Sequence, residues 1–550
     1  MVLGGVLAGL VLGLLATQSG GDAAKTTSTT TTSTTTTSTS AEKLDSLPSA
    51  VTISLPRTAT GRRVPDGFLG FSFEFSAVRA YTGGDPRNIN PVFEQLIRNL
   101  TPGRRPVIRI GGDSTDLSYA PSPGVTPPPY VAYALTPGWM ATTAALAHQL
   151  GARMTMGLNL VANNPALAAA EARDFVRALG RRSVGALEIG NEPNIYSQLT
   201  VEHTLLGIPL HARPRNFGYP AYRRQFQAVA QAAPHLALAG PALAVGPTPK
   251  KGSWVNTMAD FLRRDPRVRT LTVHRYPLRN CYVPPTSPQY PTVAHLLSPY
   301  STAGLAASLS RWLQIAHQQH RQLRVDELNS VACRGRPGVS DTFASSLWVT
   351  DALFSLLHAG VDGVNIHTLP QSAYELFEFS DTGGQWRGVV RPVYYGLQLF
   401  AQAAPPGSRL LEVPGVSGGS SVLSVWATRG ADRVDRVVLI DKDPSRGETV
   451  TVRPPAGTGG GATLERMQAP SVESGSQITL GGQTYGPNTT TGQLAPATTE
   501  ALTPNGHGTY TVRVPAGSAA LVTLRPSSAA HERGPDRNGR QFSTPRRSQQ

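Results

Sequence analysis

The sequence predicts an α/β fold, a (β/α)8 barrel with long loops, followed by an all-β sandwich. Three observations carry that prediction. Up to residue 403, short apolar runs of β type alternate with helical patterns in eight repeats. Beyond residue 405, Gly, Pro, Thr and Val dominate and only short alternating strands remain. No Gly-x-Gly-x-x-Gly follows the first strand, which argues against a dinucleotide-binding sheet.

The first element is a short alternating strand, Val51–Pro56, which precedes the barrel and is available to the β-domain. The barrel strands then read Phe68–Phe75, Val107–Gly112, Arg153–Leu160, Gly185–Gly190, Leu236–Pro241, Thr270–Tyr276, Leu323–Asp326 and Gly363–His367. Helical spacing of apolar residues falls between them at Pro91–Leu100, Trp139–Leu150, Pro165–Leu179, Tyr219–Ala232, Trp254–Arg264, Gly304–His320, Ser340–Ala359 and Val393–Ala403. Six further strands follow at Ser421–Ala427, Arg436–Ile440, Glu448–Val452, Ala462–Arg466, Gly508–Val514 and Ala519–Leu524. The expected layout is a barrel over 49–404 and a β-sandwich over 405–525, with a basic, disordered tail over 526–550.

Ahead of the barrel, residues 1–19 read as a signal peptide or N-terminal anchor. Their apolar stretch, Val2–Ala16, is shorter than the roughly 20 residues of a spanning helix. Residues 20–48, almost pure Thr and Ser from Thr26 to Ser40, read as a disordered tether. Together they predict an exported protein, extracellular or held at the cell surface, whose membrane contact is limited to that anchor. The two cysteines, Cys281 and Cys333, then point to a disulfide across 52 residues.

The formal charge of +15 is carried almost wholly by Arg, with only five Lys. Such a balance favours acidic partners, uronate-bearing polysaccharides among them. No compact basic block with interleaved aromatics is present, so nucleic acid is excluded as the expected partner. The sequence does not specify an oligomeric state.

Polar residues collect at the strand ends, where a barrel builds its active site. Glu74 follows the first strand, and the second ends in Arg109-Ile110-Gly111-Gly112-Asp113-Ser114. Asn159 closes the third, Asn191 and Glu192 the fourth, His274 and Tyr276 the sixth, Glu327 and Asn329 the seventh, and His367 the eighth. Pro193 cannot extend a central strand, so Glu192 is expected at the lip of its strand. Glu192 and Glu327 face each other across the mouth of an eight-stranded barrel. Carboxylates about 5–5.5 Å apart suit double displacement at an anomeric carbon, and wider pairs suit inversion. One acid must be ionised and the other protonated, so their surroundings must separate them. Glu192 is assigned as acid/base and Glu327 as nucleophile, with His274 and Tyr276 expected to hold Glu327 ionised and Asn191 to bind the 2-hydroxyl. Asp326 competes for the nucleophile's role, because strand alternation puts 326 and 327 on opposite faces.

The stretches Gly-Asn-Glu-Pro-Asn at 190–194, His-Arg-Tyr-Pro at 274–277, Asp-Glu-Leu-Asn-Ser at 326–330 and Gly-Val-Ser-Asp-Thr-Phe-Ala at 338–344 resemble glycoside hydrolase family 79. Phe-Ser-Phe-Glu-Phe at 71–75 and Arg-Ile-Gly-Gly-Asp-Ser at 109–114 are similar to it as well, and the likeness spans roughly 50–525. That family holds β-glucuronidases and heparanases. The resemblance implies retention of configuration, no metal and no cofactor, and a uronate carboxylate gripped by tyrosine and backbone amides in the loops after strands seven and eight. Tyr374 and the loop at Gly335 match those places. Ala332-Cys333 departs from the pattern, standing where some relatives carry tyrosine. The expected activity is therefore a retaining β-glycosidase, a β-glucuronidase first. The alternatives are a β-glucosidase-type or other β-glycosidase on the same scaffold and a non-catalytic glycan-binding surface protein, which the two intact glutamates argue against.

Overall fold

The computed structural model describes residues 50–121, 124, 126–204, 207–249, 252–413, 422–455 and 461–526. The expected signal or anchor (1–19), the Thr/Ser tether (20–48) and the tail from 527 onward lie outside the described residues.

Eight parallel strands close into a barrel in chain order: β1 (Leu69–Glu74), β2 (Val107–Gly111), β3 (Arg153–Leu158), β4 (Val184–Ile189), β5 (Leu238–Ala244), β6 (Val268–His274), β7 (Gln322–Leu328) and β8 (Gly363–Thr368). Ring closure runs through β8 against β1 and β4 against β5. The helices after β1, β2, β3, β4 and β8 begin at Pro91, Pro137, Pro165, near Pro220, and at Pro392. A proline in the first turn loses no intrahelical bond and arrives with helical φ, so it fixes where each helix starts. Asn90, Thr136 and Asn164 cap three of those starts with their side chains.

Two expected helices are interrupted. Trp254–Arg264 is a 3-10 turn, Trp254–Thr257, running into an α-helix, Met258–Arg264. Gly304–His320 is two helices, Ala303–Ala307 and Ser310–Gln318. The break falls at Ser308, whose hydroxyl donates back to Leu305 O (2.6 Å) and accepts from buried Arg275 (3.1 Å).

The C-terminal strands form two facing sheets. Ala50–Ser54 joins Glu448–Arg453 and Tyr510–Val514 in one, so the chain's first described strand lies in this β region. Seven strands make the other, with Leu423–Arg429, Asp435–Asp441, Ser518–Leu524 and Ala462–Gln468 at its centre. Period-two alternation buries both of its faces. Val437, Leu439, Leu464 and Val522 meet Val51, Ile53, Val450 and Val512 of the small sheet. Val438, Ile440, Met467 and Leu521 join the barrel's core. A buried ion pair adds to that seam: Asp351, on the helix Phe343–Ala359, accepts from Lys442 Nζ (2.6 Å), Trp426 Nε1 (2.8 Å) and Ser424 (2.9 Å).

The rim carries pieces that the strand reading did not anticipate, chiefly the hairpin Phe377–Thr382 with Gln385–Val390. Phe377 and Phe379 pack on Tyr81 and Phe93.

Candidate active site

The barrel mouth is polar because its interior is polar. Arg109, in the middle of an otherwise apolar strand, is fully buried and points along the barrel axis. Its Nε donates to Glu188 Oε2 (2.7 Å), one terminal nitrogen to Glu327 Oε2 (2.9 Å) and Ser72 Oγ (3.1 Å), and the other to Asn191 Oδ1 (2.8 Å). A buried charge persists only when paired, and this one is paired twice over. Burial disfavours the guanidinium's charge, but Glu188, Asp326 and Glu327 together push its pKa still further up.

Glu192 stands at an elbow. It has left-handed backbone geometry (φ 50°, ψ 47°), which non-glycine residues adopt at a cost where surroundings impose it. The neighbouring strand imposes it here. Glu192 N–H donates to Ala242 O (2.9 Å), and the Asn194 side chain bonds both the carbonyl and the amide of Ala244 (2.8 and 3.0 Å). On the other side, buried Asp116 accepts from Asn191 N (2.9 Å), Tyr196 Oη (2.6 Å), Leu160 N and Val161 N. Each residue of Asn191-Glu192-Pro193-Asn194 therefore has a mechanical task.

Glu327 reaches the mouth through a register slip. β6 pairs Val273 with Val325 and His274 with Glu327, which leaves Asp326 as an extra residue, and the β8 ladder slips over the same span. Such a bulge bends a strand and re-aims its side chains. The expected alternation, with 326 and 327 on opposite faces, is corrected: both carboxyls turn to the barrel interior. Asp326 lies deep, 3.6 Å from Arg109 Nε, and Glu327 lies above it, open to the cleft.

The expected holders of Glu327 divide. Tyr276 donates its hydroxyl to Glu327 Oε1 (2.9 Å). His274 gives its hydrogen bond to the other acid, Nδ1 to Glu192 Oε1 (2.9 Å), and reaches Glu327 Oε2 only as a longer ion pair at 3.5 Å. The bulge that lifts 327 past 326 turns the imidazole toward the opposite acid. One oxygen of Glu192, one of Glu327 and a nitrogen of His274 lie within 4.8 Å of one another. Burial would raise Glu327, but His367, His274, Arg109 and the Tyr276 hydroxyl hold it well below the usual carboxylate range. Burial likewise opposes charge on His274; Glu327 foremost, with the bond to Glu192, overrides it and lifts the ring to about 9. Tyr276 is pushed up by burial and then by Glu327, so the phenol keeps the proton it donates.

The remaining predicted residues lie around this centre in different capacities. Asp113 opens onto the cleft, and its carboxyl is pushed up by its packed surroundings and then by Glu74, Glu192 and Glu327. Asn191 spends its oxygen on Arg109 and one amide hydrogen on Asp113 (3.2 Å), leaving one hydrogen for a ligand hydroxyl. His367 faces Ser72 (3.1 Å) and Tyr374, whose ring packs between His367 and Tyr276 at 5.9 and 6.2 Å. Glu74 accepts from Asp113 N, Ser114 N and the Ser114 hydroxyl, and Ser114 also caps Phe75 N; these bonds shape the loop. Gly112 (φ 73°) is required there, since a Cβ would collide with the Glu74 carboxylate.

Three expected ligand groups act as loop supports, with their N–H donors given within the protein. Asn159 bonds Asp116 O, Ser118 O and Ala162 N. Asn329 bonds His367 O, Tyr374 O and Ser330 N. Gly335 gives its N–H to Val331 O (3.1 Å) and packs against the backbone at Tyr374. Cys281 and Cys333 are bonded, tying the loop after β6 to that after β7 beside the parallel pair Leu278–Arg279 and Val331–Ala332. Arg109, Glu188 and Asp116 were missed as site residues. The signal was present, since a charged side chain inside an apolar barrel strand has nowhere to go but the axis.

A model of the glycosyl hydrolase family 79 C-terminal beta domain matches residues 425–521. A β-glucuronidase of Neurospora crassa is 24% identical over 457 residues, covering 74% of this chain and 78% of that protein. Together these matches support an assignment to glycoside hydrolase family 79. Among solved structures, the chain is similar in fold to a 4-O-α-L-rhamnosyl-β-D-glucuronidase of Fusarium oxysporum 12S (TM-score 0.66, 22% identity, 86% of this chain and all of that one). It is also similar to a family 51 arabinofuranosidase of Xanthomonas axonopodis pv. citri (TM-score 0.59, 15% identity, 87% of this chain and all of that one). This glycoside hydrolase thus carries its two glutamates on a barrel fold shared with other glycosidases.

Proposed function

We propose that this glycoside hydrolase is an exported β-glucuronidase that works by double displacement with retention, Glu327 as nucleophile and Glu192 as acid/base. The observation that carries the mechanism is the pair's geometry: one carboxylate oxygen of each acid lies within 4.8 Å of the other. That approach supports the short spacing of a retaining pair over the wider one of an inverting pair. In the first step a Glu327 oxygen bonds the anomeric carbon as the glycosidic bond breaks, and the departing oxygen takes the proton shared by Glu192 and His274. In the second, Glu192 removes a proton from water, whose oxygen attacks the same carbon and releases Glu327. Arg109 and Tyr276 keep the nucleophile ionised and aimed throughout.

Glucuronate as the sugar is supported by the Neurospora and Fusarium enzymes' names and by Tyr374 beside Tyr276. Export is supported by the apolar start, the Thr/Ser tether and the disulfide, a bond of oxidising compartments. The test is hydrolysis of 4-nitrophenyl β-glucuronide beside the matching glucoside, with the first-formed anomer read by NMR. Turnover of the glucuronide with β product is expected. Turnover of the glucoside alone overturns the substrate, and α product first overturns the mechanism.

A further inference from the structure

Below the catalytic pair the barrel interior holds one acid more than its hydrogen bonds satisfy. Glu188 is complete: Arg109 Nε donates to one oxygen (2.7 Å) and the Thr272 hydroxyl to the other (2.9 Å). Asp326 is not. Both of its oxygens are buried without a donor, and its closest cationic atom, Arg109 Nε, stands at 3.6 Å with its hydrogen already given to Glu188. Asp326 and Glu188 nevertheless converge on the same Arg109 Nε, at 3.6 and 2.7 Å, so their carboxyls crowd one another. Two carboxylates resist that crowding when both are ionised, because neither carries a hydrogen and their charges repel across a dry interior. A third buried atom is unpartnered beside them, His274 Nε2, 3.6 Å from Asp326 Oδ1.

We propose that Asp326 is a positioning residue that works as a neutral carboxylic acid, giving its proton to Glu188 and turning its free oxygen to His274 Nε2. The acid's proton then serves one of its oxygens, and the imidazole Nε2 faces the other across 3.6 Å. The inference rests on the assignment of Glu327 and Glu192 above and adds what holds them in their roles. With Asp326 neutral, Arg109 divides its charge between Glu188 and Glu327 alone. His274, braced from below without a competing anion, keeps Nδ1 on Glu192 (2.9 Å). An ionised Asp326 would instead draw the imidazolium proton away from the acid/base and dilute the field that keeps the nucleophile charged.

The charged and titratable groups facing Asp326 are Arg109 from β2, Glu188 from β4, His274 from β6, and Glu327 and Arg324 on its own strand. Burial, then Glu188, pushes its carboxyl well above the ordinary range, and the cations do not offset them. The bulge explains why the acid is there at all. The extra residue that lifts Glu327 to the mouth leaves 326 in the interior, and a protonated aspartate fills that place without adding charge.

The test is infrared difference spectroscopy of the full chain at neutral pH, paired with kinetics. A protonated-carboxyl stretch is expected in the parent enzyme and in Glu327→Gln. Asp326→Asn should remove it, and Glu188→Gln should shift it. Asp326→Asn, whose amide copies the protonated acid, should keep kcat/KM within about threefold and leave the pH profile in place, whereas Asp326→Leu should lose on the order of a hundredfold. A band unmoved by both Asp326→Asn and Glu188→Gln overturns the proposal. So does Asp326→Asn activity as low as that of Glu327→Gln, which would mark Asp326 as a working anion. Full activity in Glu327→Gln would instead sink the double-displacement reading, and the infrared band would still decide the protonation of Asp326.

Discussion

Replacing Arg109 by lysine separates charge from geometry at the centre of the site. The guanidinium makes four bonds between 2.7 and 3.1 Å, to Glu188, Ser72, Glu327 and Asn191. A lysine ammonium keeps the charge but donates from one point on a shorter reach, so it serves Glu188 and releases Glu327 and Asn191. The lost bonds, one between two ions at about 1.5–3 kcal/mol and one from the guanidinium to a neutral amide oxygen, taken at about 1 kcal/mol, amount to about 2.5–4 kcal/mol. If they hold the nucleophile in the transition state, Arg109→Lys lowers kcat/KM by about 10²–10³-fold. The assay is initial-rate kinetics on an aryl glycoside, with circular dichroism to show that the variant is folded. A folded variant whose kcat/KM stays within about threefold of the parent would refute the reasoning, because Glu327 would then not depend on the fork.

Lys442→Met strands the Asp351 carboxylate in the seam between barrel and sheet, and should cost about 3–5 kcal/mol in chemical denaturation; Asp351→Asn with Lys442→Met should recover most of it. The pH dependence of stability follows from two shifted groups. His274 is raised to about 9 from 6.5, so its contribution, up to about 3 kcal/mol, is complete below about pH 6.5 and lost as pH rises through 9. Glu327 is depressed, so its contribution is present above the ordinary glutamate range and lost as pH falls below it. Denaturation midpoints across pH should therefore peak near pH 5–7, and His274→Leu should flatten the alkaline side. Denatured, unreduced protein should show no free thiol from the Cys281–Cys333 pair, and reduction should cost up to about 4 kcal/mol, the chain-entropy value for a 52-residue loop.

Much of this was legible in the sequence because each element carried two concordant signals. Pro91–Leu100 and Pro165–Leu179 have helical spacing and a proline at the start, and their ends fall where both place them. The barrel strands are apolar runs that stop at polar residues, which is also why the cleft could be located. What escaped were features set by register rather than composition. The bulge at Asp326 cannot be read from a strand whose period is assumed to be two, and with it went the partner of His274. Asn159 and Asn329 look like ligand groups in sequence; only the fold shows their amides spent on neighbouring loops. The hairpin at 377–390 was legible in principle, since Phe377 and Phe379 alternate ahead of Gly383-Gly384.

The most direct measurement is to trap the glycosyl-enzyme with a 2-fluoro glucuronyl fluoride and map the label by peptide mass spectrometry. The label is expected on Glu327 alone, and Glu327→Gln should take none. A label on Asp326, or continued turnover with no residue ever labelled, would contradict the account.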